Sequence, residues 1–91
     1  MALDELLPFR EDIDRLNREI LSLLSKRGEL VTIIGRFKRM HGLDFYDPGR
    51  EREMIDALVG SNEGPFPNET IRRIFEEIFK ASRELQKAEG S

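Results

Sequence analysis

Cysteine is absent from the 91 residues, which removes disulfides, thiol nucleophiles and cysteine-ligated metals. Histidine occurs once, at His41, so a His-rich metal site and an imidazole relay are both out of reach. A basic excess is missing as well: fifteen Lys and Arg stand against eighteen Asp and Glu, a formal net charge of −3. General nucleic-acid binding, which draws on surplus cations, is therefore not expected. No uninterrupted apolar run comes near the roughly 20 residues that cross a bilayer. The opening MALDELLPFR has no basic leader followed by an apolar stretch, so neither a membrane anchor nor a secretory signal is expected. Hydrophobic residues make up 38 % and charged residues 36 %, lean for a small core that must stand alone. The expectation is one soluble, cytoplasmic domain, residues 1–91, that needs a partner to complete its core.

What is present is periodic. Phe9, Ile13, Leu16, Ile20, Leu23, Leu30, Ile34 and Phe37 step by 4, 3, 4, 3, 7, 4 and 3, so that position 27 alone is missing from the seam. This spacing predicts one long helix with a coiled-coil-like stripe. Gly28 and Gly35 each weaken that helix by up to about 1 kcal/mol relative to Ala, and they lie on one face, where a neighbouring backbone can approach. Pro8 is tolerable only near the helix start, and Gly42 is placed to end the helix in a left-handed conformation. A second helix is announced by Asp47-Pro48, a capping acid before a first-turn proline; it carries Met54, Ile55, Leu58 and Val59 and stops by Gly60. SNEGPFPN is turn chemistry. A third helix runs from about Pro67 or Asn68 to Ala88, with Ile71, Phe75, Ile78, Ser82 and Leu85 turned inward. The fold is expected to be all-α, three helices of very unequal length.

Length then bears on assembly. The helix from Phe9 to Met40 extends roughly 48 Å at 1.5 Å per residue, whereas a compact domain of this size is only about 30 Å across. The seam runs the full length of this helix and needs cover, and a second copy in an intertwined homodimer supplies it most simply.

Polar residues interrupt both stripes. Arg27 stands where the first pattern demands carbon, and it is either a snorkelling arginine or a ligand-binding one. Lys38 follows eleven residues later, three turns plus about 20°, on the same face and roughly 16 Å along the axis; alone, it reads as a solvated helix-end lysine. Ser82 interrupts the third helix, where a bond back to its own backbone is the bland reading, and Gln86 stands one turn further on. Asp47, Arg50 and Glu51 crowd the start of the second helix, ordinary as a cap and two surface charges. Arg10 precedes Arg27 by about 25 Å along the axis; it cannot reach an Arg27 pocket within its own straight helix, but it can reach the pocket of an antiparallel partner. Taken together, these side chains describe a polar pocket cut into an apolar bundle, suited to a small, multiply anionic, hydroxylated molecule. With no nucleophile beside a base, no metal set and no glycine-rich phosphate loop in the sequence, any catalysis there rests on positioning and electrostatics.

The segments FREDIDRLNREILSLLSKR, GRFKRMHG, YDPGREREM and IFEEIFKASRELQ, in this order and spacing, resemble the all-helical (AroQ-class) chorismate mutases over about Leu6 to Ala88. The stretch GPFPNETIRRIFEEIFKASRELQ further resembles mutase domains fused to DAHP synthase, which would make this chain the amino-terminal domain of a larger bifunctional protein. The resemblance implies the Claisen rearrangement of chorismate to prephenate in phenylalanine and tyrosine biosynthesis, an isomerase reaction needing no cofactor and no metal. It implies that Arg27 and the partner chain's Arg10 grip the substrate carboxylates with help from Arg50 and Ser82. Lys38 and Gln86 then hydrogen-bond the ether oxygen, and Glu51 holds the ring hydroxyl with the backbone at Asp47 assisting. A neutral amide at Gln86 donates without first taking up a proton, which implies activity maintained between mildly acidic and neutral pH.

Three other readings stay open on sequence. An isochorismate–pyruvate lyase uses the same scaffold on an equally dianionic substrate. A regulatory module could bind chorismate or prephenate and signal to a fused DAHP synthase. A partner-binding helical hairpin would show an outward apolar patch. The sequence assigns no role to His41.

Overall fold

The computed structural model describes residues 2–90. Within them the chain forms α1 (Ala2–Met40), α2 (Pro48–Gly60) and α3 (Asn68–Gly90), with no strand among the described residues. The all-α, three-helix architecture is as the periodicities predict. The chain divides into two units, one ending at Leu30 and the other beginning at Val31, so that α1 contributes to both.

α1 begins earlier than expected, seven residues ahead of Phe9. Pro8 lies inside it, and a proline here removes only one rung of the ladder close to the amino end. Asp4 and Glu5 in the first turn face the positive end of the helix dipole and favour the extension. The other end stops as predicted. Gly42 takes φ 66°, Leu43 N–H donates to the Lys38 carbonyl (2.8 Å) and Gly42 N–H to that of Arg39 (3.3 Å). This pair of bonds is the Schellman arrangement, which satisfies carbonyls the helix leaves unbonded. His41 lies against Phe37, ring centres 4.1 Å apart.

In α2, Asp47 is the N-cap and its carboxylate accepts from Arg50 N–H at 3.1 Å, with Pro48 in the first turn. The connection to α3 is pinned by Asn62, whose amide donates to the Phe66 carbonyl and to Asn68 Oδ1, both at 2.8 Å. Its Oδ1 accepts from Gly64 N–H, the Asx-type turn that the sequence of this loop favours.

The unit from Val31 onward holds the buried apolar side chains Val31, Ile55 and Phe79. Phe79 was not among the inward positions expected for α3. Leu85 was expected inward and is instead 38 % exposed. The inward stripe runs through Ile71, Phe75, Phe79, Ser82 and Gln86, because a strict seven-residue spacing drifts about 20° per heptad around a straight helix. On α1 the drift matters more. Leu23 and Leu30 are 64 % and 61 % exposed, while Arg27 and Lys38 are half-buried and Val31 and Gly35 buried. Among the described residues, no helix is long and apolar enough to cross a membrane.

Candidate active site

Gly35 explains how α1 and α3 meet. A Cβ at this position would lie 3.0 Å from Gln86 Cγ and 3.4 Å from Gln86 Cα, closer than ordinary van der Waals contact. Glycine lets the third helix bring its backbone against the first. Gln86, 6 % exposed, is the buried polar residue of the unit, and its Nε2 donates to the Val31 carbonyl at 3.4 Å. An amide buried here keeps further hydrogen-bonding capacity, since each amide has two donors and an acceptor oxygen.

Lys38 lies one helical turn beyond Gly35. It is half-buried, and its Nζ donates to the Phe45 carbonyl at 3.5 Å, so it is not the solvated helix-end lysine of the bland reading. Ser82 lies one turn before Gln86 and its hydroxyl donates to the Ile78 carbonyl at 2.8 Å, the back-bond that its helical position suggests.

Glu51, in the first turn of α2, has a partner that sequence reasoning missed. Arg83 Nη1 donates to both of its carboxylate oxygens, at 2.7 and 2.6 Å, and the two side chains are 30 % and 23 % exposed. The guanidinium also lies over the Tyr46 ring, 4.9 Å from its centre, the geometry of a cation–π contact. The only trace of this arrangement in the sequence is a cation beside Ser82, and Arg83 shares the inward side of α3 with Ser82 and Gln86.

Other expected residues are placed less decisively. Asp47 is exposed and acts as the cap. Arg50 is exposed and turns to Glu53 along α2, at 3.6 Å, a surface pair of small energetic consequence. Arg27 and Arg10 both belong to the unit that ends at Leu30; the first is half-buried and the second exposed.

A cavity of about 260 Å³ opens between α2 and α3, lined by residues including Tyr46, Ile55 and Phe79. Of the expected site residues it contains only Glu51. Its charged lining is three carboxylates, Glu51, Asp56 and Glu76, against two guanidiniums, Arg52 and Arg72. A dianion would gain little there. The cations expected to bind one lie elsewhere, on α1 and at the start of α2. Among the described residues there is no cluster of three or more His, Cys, Asp or Glu able to hold a metal ion.

The chain as a whole can be compared with known proteins. Residues 9–87 match the family described as chorismate mutase type II. The chain belongs to that family.

The mutase fold extends to solved structures. The chain is similar to a Thermus thermophilus chorismate mutase, with a TM-score of 0.90 and 54 % identity, covering 91 % of this chain and 94 % of that one. It is also similar to a Helicobacter pylori chorismate mutase crystallised in complex with prephenate, with a TM-score of 0.86 and 31 % identity over 92 % of this chain and 91 % of that one. A bifunctional chorismate mutase/prephenate dehydratase of Aquifex aeolicus is 37 % identical over 89 residues, 93 % of this chain. The chain spans about a quarter of the length of that relative and of other curated bifunctional mutases it matches. The fused domain in these relatives is a prephenate dehydratase, not the DAHP synthase suggested by the sequence of the third helix.

Proposed function

We propose that this mutase domain converts chorismate to prephenate by electrostatic stabilisation and selection of the reactive conformer. The observation that carries the reading is Gln86, buried against Gly35 with Lys38 one turn along the same helix. A neutral donor and a cation from adjacent helices suit an ether oxygen that gains negative charge as its C–O bond breaks. Such groups act on charge found chiefly in the transition state, so they lower the barrier more than they tighten substrate binding. Arg27, Arg50, Ser82 and the partner's Arg10 hold the two carboxylates in this reading, and Glu51 with the Asp47 backbone holds the ring hydroxyl. Arg10, Arg27, Lys38 and Arg50 supply the positive charge for a dianion, while Glu51 is already matched by Arg83. Compressing the substrate into its folded chair is the remaining contribution, one of orientation.

The reading requires a second copy of the chain. Its support is the exposed row Phe9, Ile13, Leu16, Ile20 and Leu23, a continuous apolar stripe of the kind that marks an interaction surface. Aromatic amino acid biosynthesis in the cytoplasm is the setting that goes with this reaction. A DAHP synthase joined to residues 1–91 in a longer natural protein rests on the likeness of the third-helix segment alone. A shared site predicts that Arg10→Ala and Lys38→Ala homodimers are each inactive, whereas exchanged heterodimers regain activity through one whole pocket. Chorismate consumption by the mixed sample measures this, and no recovery after verified subunit exchange would exclude the shared site. Following the products separates the mutase from a lyase, which would release pyruvate from isochorismate.

A further inference from the structure

We infer that Arg83 is a positioning residue for the mutase reaction, fixing the Glu51 carboxylate as a hydrogen-bond acceptor aimed at the substrate's ring hydroxyl. The inference rests on the role given to Glu51 above. Arg83 reaches both Glu51 oxygens through one nitrogen, Nη1. A carboxylate offers about four lone-pair sites, so this contact leaves room for a hydroxyl on the same oxygens. Substrate can therefore bind without breaking the ion pair.

The pair is held from behind. Tyr46 lies in the connection between α1 and α2 and packs its ring on the guanidinium, while Glu51 is fixed by the first turn of α2 and Arg83 by α3. Three segments thus determine the direction of one carboxylate. A half-buried carboxylate without this partner would be poorly compensated and free to swing toward solvent. With it, the Glu51 oxygens keep one direction as acceptors, which favours a hydroxyl donor over any substituent lacking one. Lysine cannot reproduce the arrangement in full, because its ammonium lacks the flat face that lies on the Tyr46 ring.

The experiment is a double-mutant cycle in kcat/KM for chorismate with Glu51→Ala, Arg83→Ala and the pair, run well below the melting temperature of every variant. Glu51→Ala should cost roughly ten- to a hundredfold, the usual scale for a charged hydrogen bond. Arg83→Ala should lose about tenfold or more through misplacement of the carboxylate, and it should lose nothing further once Glu51 is already alanine. Arg83→Lys should restore part of the activity. A merely structural Arg83 would lower the melting temperature and leave kcat/KM of the folded enzyme unchanged, which overturns the inference. An equal Arg83→Ala penalty in both backgrounds overturns it too, because the residue would then act independently of Glu51. Full activity in Glu51→Ala would instead remove the role given to Glu51, a separate failure visible in a different arm. If Arg83→Ala does not fold, Arg83→Gln takes its place in the same cycle with the same expected outcomes.

Discussion

The two units of the chain use similar sequence patterns to different ends. Up to Leu30 no described residue is buried: Phe9, Ile13, Leu16, Ile20 and Leu23 lie open, and only Arg27 and Gly28 are half-buried. From Val31 onward the same kind of spacing produces a small core of Val31, Ile55 and Phe79, with Gln86 buried beside them. The difference shows that the apolar seam and the inward face of α1 are two separate stripes. The seam is carbon and has no cover from the chain's own atoms. In the unit from Val31 onward the inward stripe of α1 is Val31, Gly35 and Lys38, at spacings of four and three.

The largest effect should come from attacking the open stripe. Ile13→Asp combined with Ile20→Asp should abolish dimerisation and activity together, measured by sedimentation and chorismate turnover at matched concentrations. If no second copy covers these side chains, each change would stay within about 0.5 kcal/mol, and the proposed dimer would fail. On the inward stripe, Lys38→Ala should reduce kcat by on the order of a hundredfold or more, while sedimentation and circular dichroism stay unchanged. Gly35→Ala sharpens the contrast further. Better helix propensity offers about 1 kcal/mol, but crowding against Gln86 costs typically 1–3 kcal/mol. The net should be a modest loss in thermal stability and a lower kcat, because Gln86 has to shift. An alanine introduced at an exposed site in α1, as in Ser22→Ala, should affect neither. The smallest effect is Asp47→Ala, worth about 1 kcal/mol through loss of the cap, read as a few degrees in melting temperature.

Much of this was legible in the sequence, for identifiable reasons. The caps at Asp47 and Gly42 follow from local chemistry and agree with the structure to the residue. Three helices follow from periodicity. Gln86 and Lys38 could be singled out because polar groups near an apolar stripe demand an explanation. The start of α1 was misplaced because Pro8 was taken as a boundary, although one missing bond near the amino end is easily tolerated. Leu85 was misassigned because a heptad count accumulates angular error that a straight helix does not share. The Glu51–Arg83 pair was invisible because its partners are 32 residues apart and neither breaks a pattern. Contacts of that kind depend on how helices are placed in space, and periodicity along one helix carries no record of it.

The end of α1 has a consequence for timing. The main chain of Lys38 is tied through its carbonyl to Leu43, and its side chain to the Phe45 carbonyl, so both ends of one residue are anchored by the same short connection. The carboxyl end of a helix also favours a cation through its dipole. The ammonium is thus held by the fold itself. In the proposed reaction an arriving anion meets a cation that folding has already placed, so part of the entropy of fixing a long, flexible side chain is spent before the first encounter.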